Sequence, residues 1–406
     1  MSSEHLPAEY PFIPLHRPDL GEAEGAAAAR VIASGWVSQG REVEAFEHEF
    51  AAFTGAPFAV AVSSGTAAIE LALRALGIGA GDEVITVSHS FVATANAIHA
   101  VGAQPVFADV TPDTLNLDPA GIAPLVTGST RAVLAVHQVG MPCDLAAVLG
   151  ACRSFGLHLI EDAACAAGSE IEIDGQWHRI GAPHGDIACF SLHARKPITT
   201  GEGGIITCRD TEVAERLRRL RSHGMTISAV TRHESPAVMF EEYVTPGYNL
   251  RLSDIAGAIG RQQLLRLPGI VARRRALAAR YAAAFAGSNV VRPLSEPGWA
   301  RSNWQSYPVR LADPLDQRKV MQLMLDENIA VRRGVMNAHM ERAWPKAGWG
   351  CAWRIGADCT CAPQTCAALS ESERGRDRHI LLPLFPALKE DEQDRVIETL
   401  LRVCAA

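Results

Sequence analysis

Three stretches of the chain carry residue types able to do chemistry together. The first is Cys189-Phe190-Ser191-Leu192-His193-Ala194-Arg195-Lys196, followed by Thr199-Thr200-Gly201-Glu202-Gly203-Gly204. Most lysines are simply solvated, but one withdrawn from water loses its proton readily and becomes a nucleophilic amine suited to a Schiff base. The glycines beyond it let the main chain approach a ligand. The second is Leu159-Ile160-Glu161-Asp162-Ala163-Ala164, two carboxylates at the carboxyl end of an apolar strand, where open α/β sheets place their ligands. A carboxylate buried there needs a partner. A protonated pyridine nitrogen would be one, and an ordinary helix N-cap role is the alternative. The third is Val60-Ala61-Val62-Ser63-Ser64-Gly65-Thr66-Ala67-Ala68, a strand running through a small-residue turn into a helix. Main-chain N–H groups and the positive helix end suit an anion such as phosphate, although the same pattern also serves as mere connection.

The elements that must position these residues follow from periodicity. Short apolar, β-branched runs at 58–63, 83–87, 105–109, 131–137, 157–161, 186–192 and 203–208 alternate with helical or loop segments, as in an α/β fold with a largely parallel sheet. Thr66–Leu76 reads as a helix with Ile69, Leu73 and Leu76 on one face and Glu70 set against Arg74. Phe46, Phe50 and Phe53 share another helical face, ended by Gly55 before Pro57. From Ser253, a plausible N-cap, the pattern turns to long Ala/Leu/Arg helices, which divides the chain into a large α/β domain over 1–264 and a smaller C-terminal α+β domain over 265–406. The cluster Arg273-Arg274-Arg275, with Arg280, reads as a solvated helix face.

Composition bounds the class. The 406 residues are 48% apolar, enough for a sizeable core, and the net charge of −7 argues against a nucleic-acid partner. No run of eighteen apolar residues and no basic, apolar leader occurs, so a soluble cytoplasmic protein without a membrane partner is expected. Ten cysteines are too few for a disulfide scaffold. Cys351, Cys359, Cys361 and Cys366 crowd one segment at spacings matching no zinc pattern, and no metal is expected.

A phosphate cradle, a strand-end carboxylate and a lysine further along the sheet come in the order a pyridoxal-phosphate (PLP) site needs. At this point the chain resembles the DegT/DnrJ/StrS aminotransferases over nearly its whole length. The matching stretches include "SGWVSQGREVEAFEHEFA" at 34–51, "SSGTAAIELAL" at 63–73, "IEDAACAAGS" at 160–169, "FSLHARKPITTGEGG" at 190–204 and "GYNLRLSDIAGAIGRQQL" at 247–264. The resemblance implies a fold-type I α/β enzyme with PLP as cofactor. It implies that Lys196 holds PLP as a Schiff base and shuttles the proton, and that Asp162 pairs with the pyridinium nitrogen. It further implies a phosphate cup of Gly65, Thr66 and Ala67 with Ser191, Phe91 stacked on the ring, and Asn249 reaching the phosphate from a neighbouring subunit. A homodimer with shared sites follows. Cys165 stands where the family commonly has Gln or His near the cofactor's phenolic oxygen, and a thiol is a weaker donor.

In the C-terminal stretches "NWQSYPVRL" at 303–311 and "VRRGVMNAHMERAW" at 331–344, the resemblance implies an acceptor pocket, with Arg332, Arg333 and His339 as contacts and His193 as a further candidate on the lysine loop. Surface ion pairs and a packed core histidine are the alternatives, and His137 and His193 are likewise open to a packing role. The implied activity is transfer of an amino group from glutamate or glutamine to a keto substrate, a nucleotide-diphosphate keto sugar in most of the family. The alternatives are a free cyclitol or non-sugar acceptor, a PLP-dependent sugar dehydratase, or a PLP-binding regulatory protein. A Rossmann nucleotide site is excluded by Ser63-Ser64-Gly65-Thr66, which is no G-x-G-x-x-G turn.

Overall fold

A computed structural model describes residues 11–345, 348–351 and 364–405. In chain order its strands begin with β1 Phe58–Val62, β2 Glu83–Val87, β3 Gln104–Ala108, β4 Thr130–Val136 and β5 His158–Asp162. They continue with β6 Glu170–Ile173, β7 Gln176–Arg179, β8 Ile187–Ser191 and β9 Gly204–Cys208. The C-terminal part adds β10 Val291–Pro293, β11 Ala300–Arg301, β12 Tyr307–Leu311, β13 Arg332–Arg333, β14 Gly350–Cys351 and β15 His379–Leu382.

Every apolar run read from the sequence becomes a strand of one sheet, ordered β1-β9-β8-β5-β4-β2-β3-β14. From β8 to β14 all neighbours are parallel, while β9 runs antiparallel to β8 and β1. The chain thus has an α/β architecture with a mostly parallel mixed sheet flanked by helices. Residues on both faces of β1, β4 and β9 are buried, which is why these strands read as continuous rather than alternating apolar runs. Two antiparallel steps return β1 to the direction of β8, so β1, β2, β5 and β8 all end at the same edge. The chemistry-bearing loops leave from that edge.

Local signals place the flanking helices. Ser64 caps helix Gly65–Ala75, its Oγ accepting from the Ala67 N–H at 3.1 Å, and Glu70 pairs with Arg74 at 2.9 Å. Helix Arg41–Thr54 ends at Gly55 with φ +83°, a left-handed cap that favours glycine. Ser253 caps the long helix Asp254–Phe285, which packs closely on Arg41–Thr54. A Cβ on Gly257 would come within 2.9 Å of the Val43 nitrogen. Further along, this helix carries Leu277, Tyr281 and Phe285 into a second apolar cluster with Tyr307, Val309 and Leu400. That cluster lies against the antiparallel sheet β10-β12-β15-β13.

Two features differ from the sequence expectations. The Arg273-Arg274-Arg275 run is not a solvated face. Arg274 is buried and donates to the main-chain carbonyls of Trp304, Gln305 and Leu384 at 3.1–3.2 Å, and Arg275 pairs with Glu170 at 3.1 Å. The helix touches both apolar clusters, so its basic stripe meets the returning C-terminal chain. The β6–β7 hairpin with β11, and β14 at the edge of the large sheet, have no counterpart among the expected strands. β11 and β14 are two residues long and too short to carry a period.

Candidate active site

Lys196 lies in the turn between β8 and β9. Its N–H donates to the His193 carbonyl at 2.9 Å, and the turn closes through Ala194 N to Gly201 O (3.1 Å) and Thr200 N to Leu192 O (3.0 Å). Gly201, at φ +85°, makes the reversal. The Lys196 side chain is half-buried, and its Nζ donates to Cys165 Sγ at 3.1 Å.

Asp162 is the last residue of β5 and is buried. Its Oδ2 accepts from the Thr94 hydroxyl at 2.7 Å and its Oδ1 from the Ala164 N–H at 3.1 Å, while Thr94 also bonds Ser90 Oγ at 2.9 Å. No cation among the described residues pairs with it, so two neutral donors hold a charge that would gain from a cationic N–H. Glu161, one residue earlier, points to the other face. It meets His137 Nε2 at 3.0 Å, while His137 Nδ1 accepts from the Cys143 N–H at 3.0 Å. That second bond fixes the proton on Nε2, and His137 is a packed core histidine.

The start of helix Gly65–Ala75 lies beside β8. A Cβ on Gly65 would fall 2.7 Å from Ser191 Cβ, so the glycine is what lets the first turn of the helix come this close to Ser191. Phe91, on the loop after β2, is 68% exposed, and Asn249, which bridges to Ser222, is also exposed.

The remaining sequence candidates separate. His193 is half-buried, accepts from the Arg195 N–H at Nδ1 (3.2 Å) and sits 3.7 Å from Glu202. Arg332 is exposed on β13, and Arg333 stands 3.9 Å from Glu341. His339 is buried with both ring nitrogens engaged, Nδ1 with Ser88 Oγ at 2.6 Å and Nε2 with Glu373 at 3.2 Å. That leaves it no free nitrogen for a substrate, which corrects its reading as an acceptor contact. Cys351 and Cys366 bring their sulfurs to 3.5 Å; Cys359 and Cys361 lie outside the described residues. Among the described residues no group of three or more His, Cys, Asp or Glu could hold a metal.

The structure adds supports that sequence reasoning missed. Asn303 Nδ2 donates to the carbonyls of Cys165 and Ala167, both at 2.8 Å. Gln305 Nε2 donates to the Arg195 carbonyl at 3.0 Å, and His16 Nε2 to the Ala194 carbonyl at 2.7 Å. Burial pushes the His16 pKa down to about 4 against that hydrogen bond, so its ring is neutral. The stretch 303–311, expected to line the acceptor pocket, therefore fixes the Cys165 and Lys196 loops from behind. Only Thr94 had a signal, its place three residues after Phe91.

Comparison with known proteins identifies the family. Residues 18–401 match the DegT/DnrJ/EryC1/StrS aminotransferase family. The chain is 36% identical over 392 residues to the spore coat polysaccharide biosynthesis protein SpsC of Bacillus subtilis (strain 168), covering 95% of this chain and 96% of SpsC. Among solved structures it resembles the aminotransferase TlmJ of Streptoalloteichus hindustanus (34% identity, TM-score 0.84, 97% of this chain and 99% of that one). It also resembles S. venezuelae DesV, solved with a ketimine intermediate (32% identity, TM-score 0.85, 98% and 100%). With an amine, a strand-end carboxylate and an anion-ready helix start delivered to one sheet edge, the chain belongs to the DegT/DnrJ/EryC1/StrS aminotransferase family.

Proposed function

We propose that the protein is a PLP-dependent transaminase that takes an amino group from glutamate or glutamine and places it on a keto sugar carried by a nucleoside diphosphate, in a cell-surface glycan or natural-product pathway. The observation that carries this reading is the half-buried amine of Lys196 on the same sheet edge as a buried carboxylate, Asp162, that lacks a cation. SpsC, named for polysaccharide biosynthesis, supports the sugar acceptor.

The residues fit PLP. Asp162 has two neutral donors and wants a cationic N–H, which a protonated pyridine nitrogen provides, and the helix start at Gly65 sits directly against Ser191, where any Cβ would clash. Bound PLP supplies the electron sink for breaking the donor's Cα–H bond. Lys196 Nζ would hold the cofactor and later hold and return the proton, and Asp162 would keep the ring nitrogen charged. Gly65, Thr66, Ala67 and Ser191 would bind the phosphate, Phe91 would cover the ring, and Cys165 would lie near the phenolic oxygen. Arg332 and His193 remain candidates for the acceptor.

A homodimer is part of the proposal. Phe91, Val238, Phe240 and Tyr243 are large apolar side chains exposed on this chain, and Asn249 stands exposed where it would reach a second copy. So are a two-domain division near residue 265 and a cytoplasmic location; among the described residues no helix is long and apolar enough to cross a membrane.

The visible absorbance of the purified protein tests the reading. A yellow wild type that bleaches with glutamate or glutamine, and a Lys196→Ala variant lacking that band, are expected. A protein that stays colourless with added PLP overturns it.

A further inference from the structure

Arg195, next to the lysine, is a cation without a counter-ion among the described residues. Its main chain is pinned from two sides, the N–H to His193 Nδ1 (3.2 Å) and the carbonyl to Gln305 Nε2 (3.0 Å). The guanidinium makes no hydrogen bond or ion pair with any described residue. Arg332 and the Cys165 sulfur lie within electrostatic reach of it, and that sulfur accepts from Lys196 Nζ at 3.1 Å. The group is thus tied to the lysine's side of the loop. His16 lies within electrostatic reach, adding no negative charge.

Several other buried or half-buried arginines are answered. Arg221 pairs with Glu47, Arg261 with Glu42 and Glu49, Arg266 with Asp19 and Glu24, and Arg274 takes three carbonyls. At Arg195, as at Arg274, burial lowers the pKa, and at Arg195 the nearby Arg332 charge adds to that shift. A small cavity lined by Arg195, His16, Gln305 and Ser306 opens beside it. A guanidinium fork matches a carboxylate in two parallel hydrogen bonds.

We propose that Arg195, with Arg332 beside it, forms a carboxylate subsite next to Lys196 that seats the amino-acid donor. The inference rests on the transaminase reading above and adds the group that recognises the donor. The carboxylate comes either from the donor's α-carbon or from the glutamate side chain.

The test uses the PLP-loaded enzyme and two variants, Arg195→Gln and Arg195→Lys. Glutarate, a dicarboxylate with no amino group to react, is titrated calorimetrically, and the donor half-reaction is followed by bleaching. Glutarate binding should weaken about tenfold or more in Arg195→Gln and less in Arg195→Lys. The donor KM should rise by a similar factor with kcat little changed. An equal loss with glutamate and glutamine assigns the α-carboxylate; a loss confined to glutamate assigns the side chain. Arg195→Gln that binds glutarate and takes donors like the wild type, or a wild type that does not bind glutarate, overturns the subsite. Bleaching that is identical in wild type and Arg195→Gln leaves the transaminase reading standing. Arg195-dependent glutarate binding without bleaching by any amino donor sinks that reading and keeps the subsite.

Discussion

Two regions of this molecule place titratable groups at the ends of sheet strands, and they treat them in opposite ways. In the packing between β2, β3 and the segment 337–379, the chain supplies partners for its carboxylates and most of its ring nitrogens, with His89 Nε2 and His379 Nε2 the buried exceptions. His89 donates from Nδ1 to Asn337 at 2.9 Å, and His339 is held between Ser88 and Glu373. Asp109 accepts from the N–H groups of Glu371 (2.9 Å) and Ser372 (2.7 Å) and from the Ser372 hydroxyl (2.6 Å). Around Lys196 the partners are missing: Asp162 has no cation among the described residues, Arg195 no anion, and Phe91 no cover. Burial and ionisable chemistry are common to both regions. What separates the two is how fully the chain surrounds each charge with its own donors and acceptors: four neutral donors hold Asp109, two hold Asp162, and no described residue answers the Arg195 guanidinium.

The largest expected effect tests that separation directly. Lys196→Ala should lower amino transfer at least about a thousandfold, since no other group on the loop offers a nucleophilic amine. Asp109→Ala should leave transfer per PLP-loaded molecule near wild type while costing about 2–4 kcal/mol of stability, read from the urea midpoint, because two main-chain N–H groups and a hydroxyl lose their acceptor. Transfer impaired as severely by Asp109→Ala as by Lys196→Ala would erase the distinction between the regions.

Asp162→Asn comes next. Amino transfer should fall about a hundredfold, because an amide no longer favours a protonated ring nitrogen. The cofactor-free protein should be no less stable than wild type, since the change removes a buried charge with no cation to balance it. Marked destabilisation of the cofactor-free variant would place Asp162 among the scaffold groups instead.

Acid should act first on the scaffold. Burial holds the pKa values of His89 and His379 down to about 4 in the folded chain, with Asn337 opposing the shift at His89 and the His89 charge adding to it at His379. In the unfolded chain these rings take up protons near 6.5. Between pH 6.5 and 4 the unfolded state therefore binds more protons, so stability is fully present above 6.5 and is lost as pH falls through that window, by roughly 3 kcal/mol for each ring. Urea midpoints at pH 7.5 and 5 check this. His89→Gln, which keeps an N–H donor toward Asn337, should flatten the dependence, and an unchanged slope would rule out His89 as its source.

Which features the sequence could disclose follows from their range. The large-sheet strands are legible because burial on both faces gives continuous Val/Ile/Ala runs bounded by glycine and polar turns, and β5 and β8 carry Asp162 and Ser191 at their ends by simple contiguity. The Gly65 contact with Ser191 is consistent with the small-residue turn but is not spelled by it. Asn303, Gln305 and His16 lie more than a hundred residues from the loops they hold, and nothing near them in the chain announces those partners. Arg274 shows the same limit, because an arginine cluster on an Ala-rich helix has the same spelling whether it faces water or three main-chain carbonyls.

The smallest effect probes the boundary between the two regions, at Cys165. Its carbonyl belongs to the scaffold, held by Asn303 Nδ2 at 2.8 Å, while its sulfur belongs to the site, taking Lys196 Nζ at 3.1 Å. Because the carbonyl contact survives any side-chain change, Cys165→Ala should fold normally and lose only about two- to threefold in amino transfer, a thiol being a weak hydrogen-bonding group. Cys165→Gln places an amide donor beside the lysine and should shift the pH at which the absorbance of the Lys196-linked cofactor changes, while leaving the urea midpoint near wild type. A loss in Cys165→Ala as large as that in Asp162→Asn would move the sulfur from a neighbour of the lysine to a partner in the reaction.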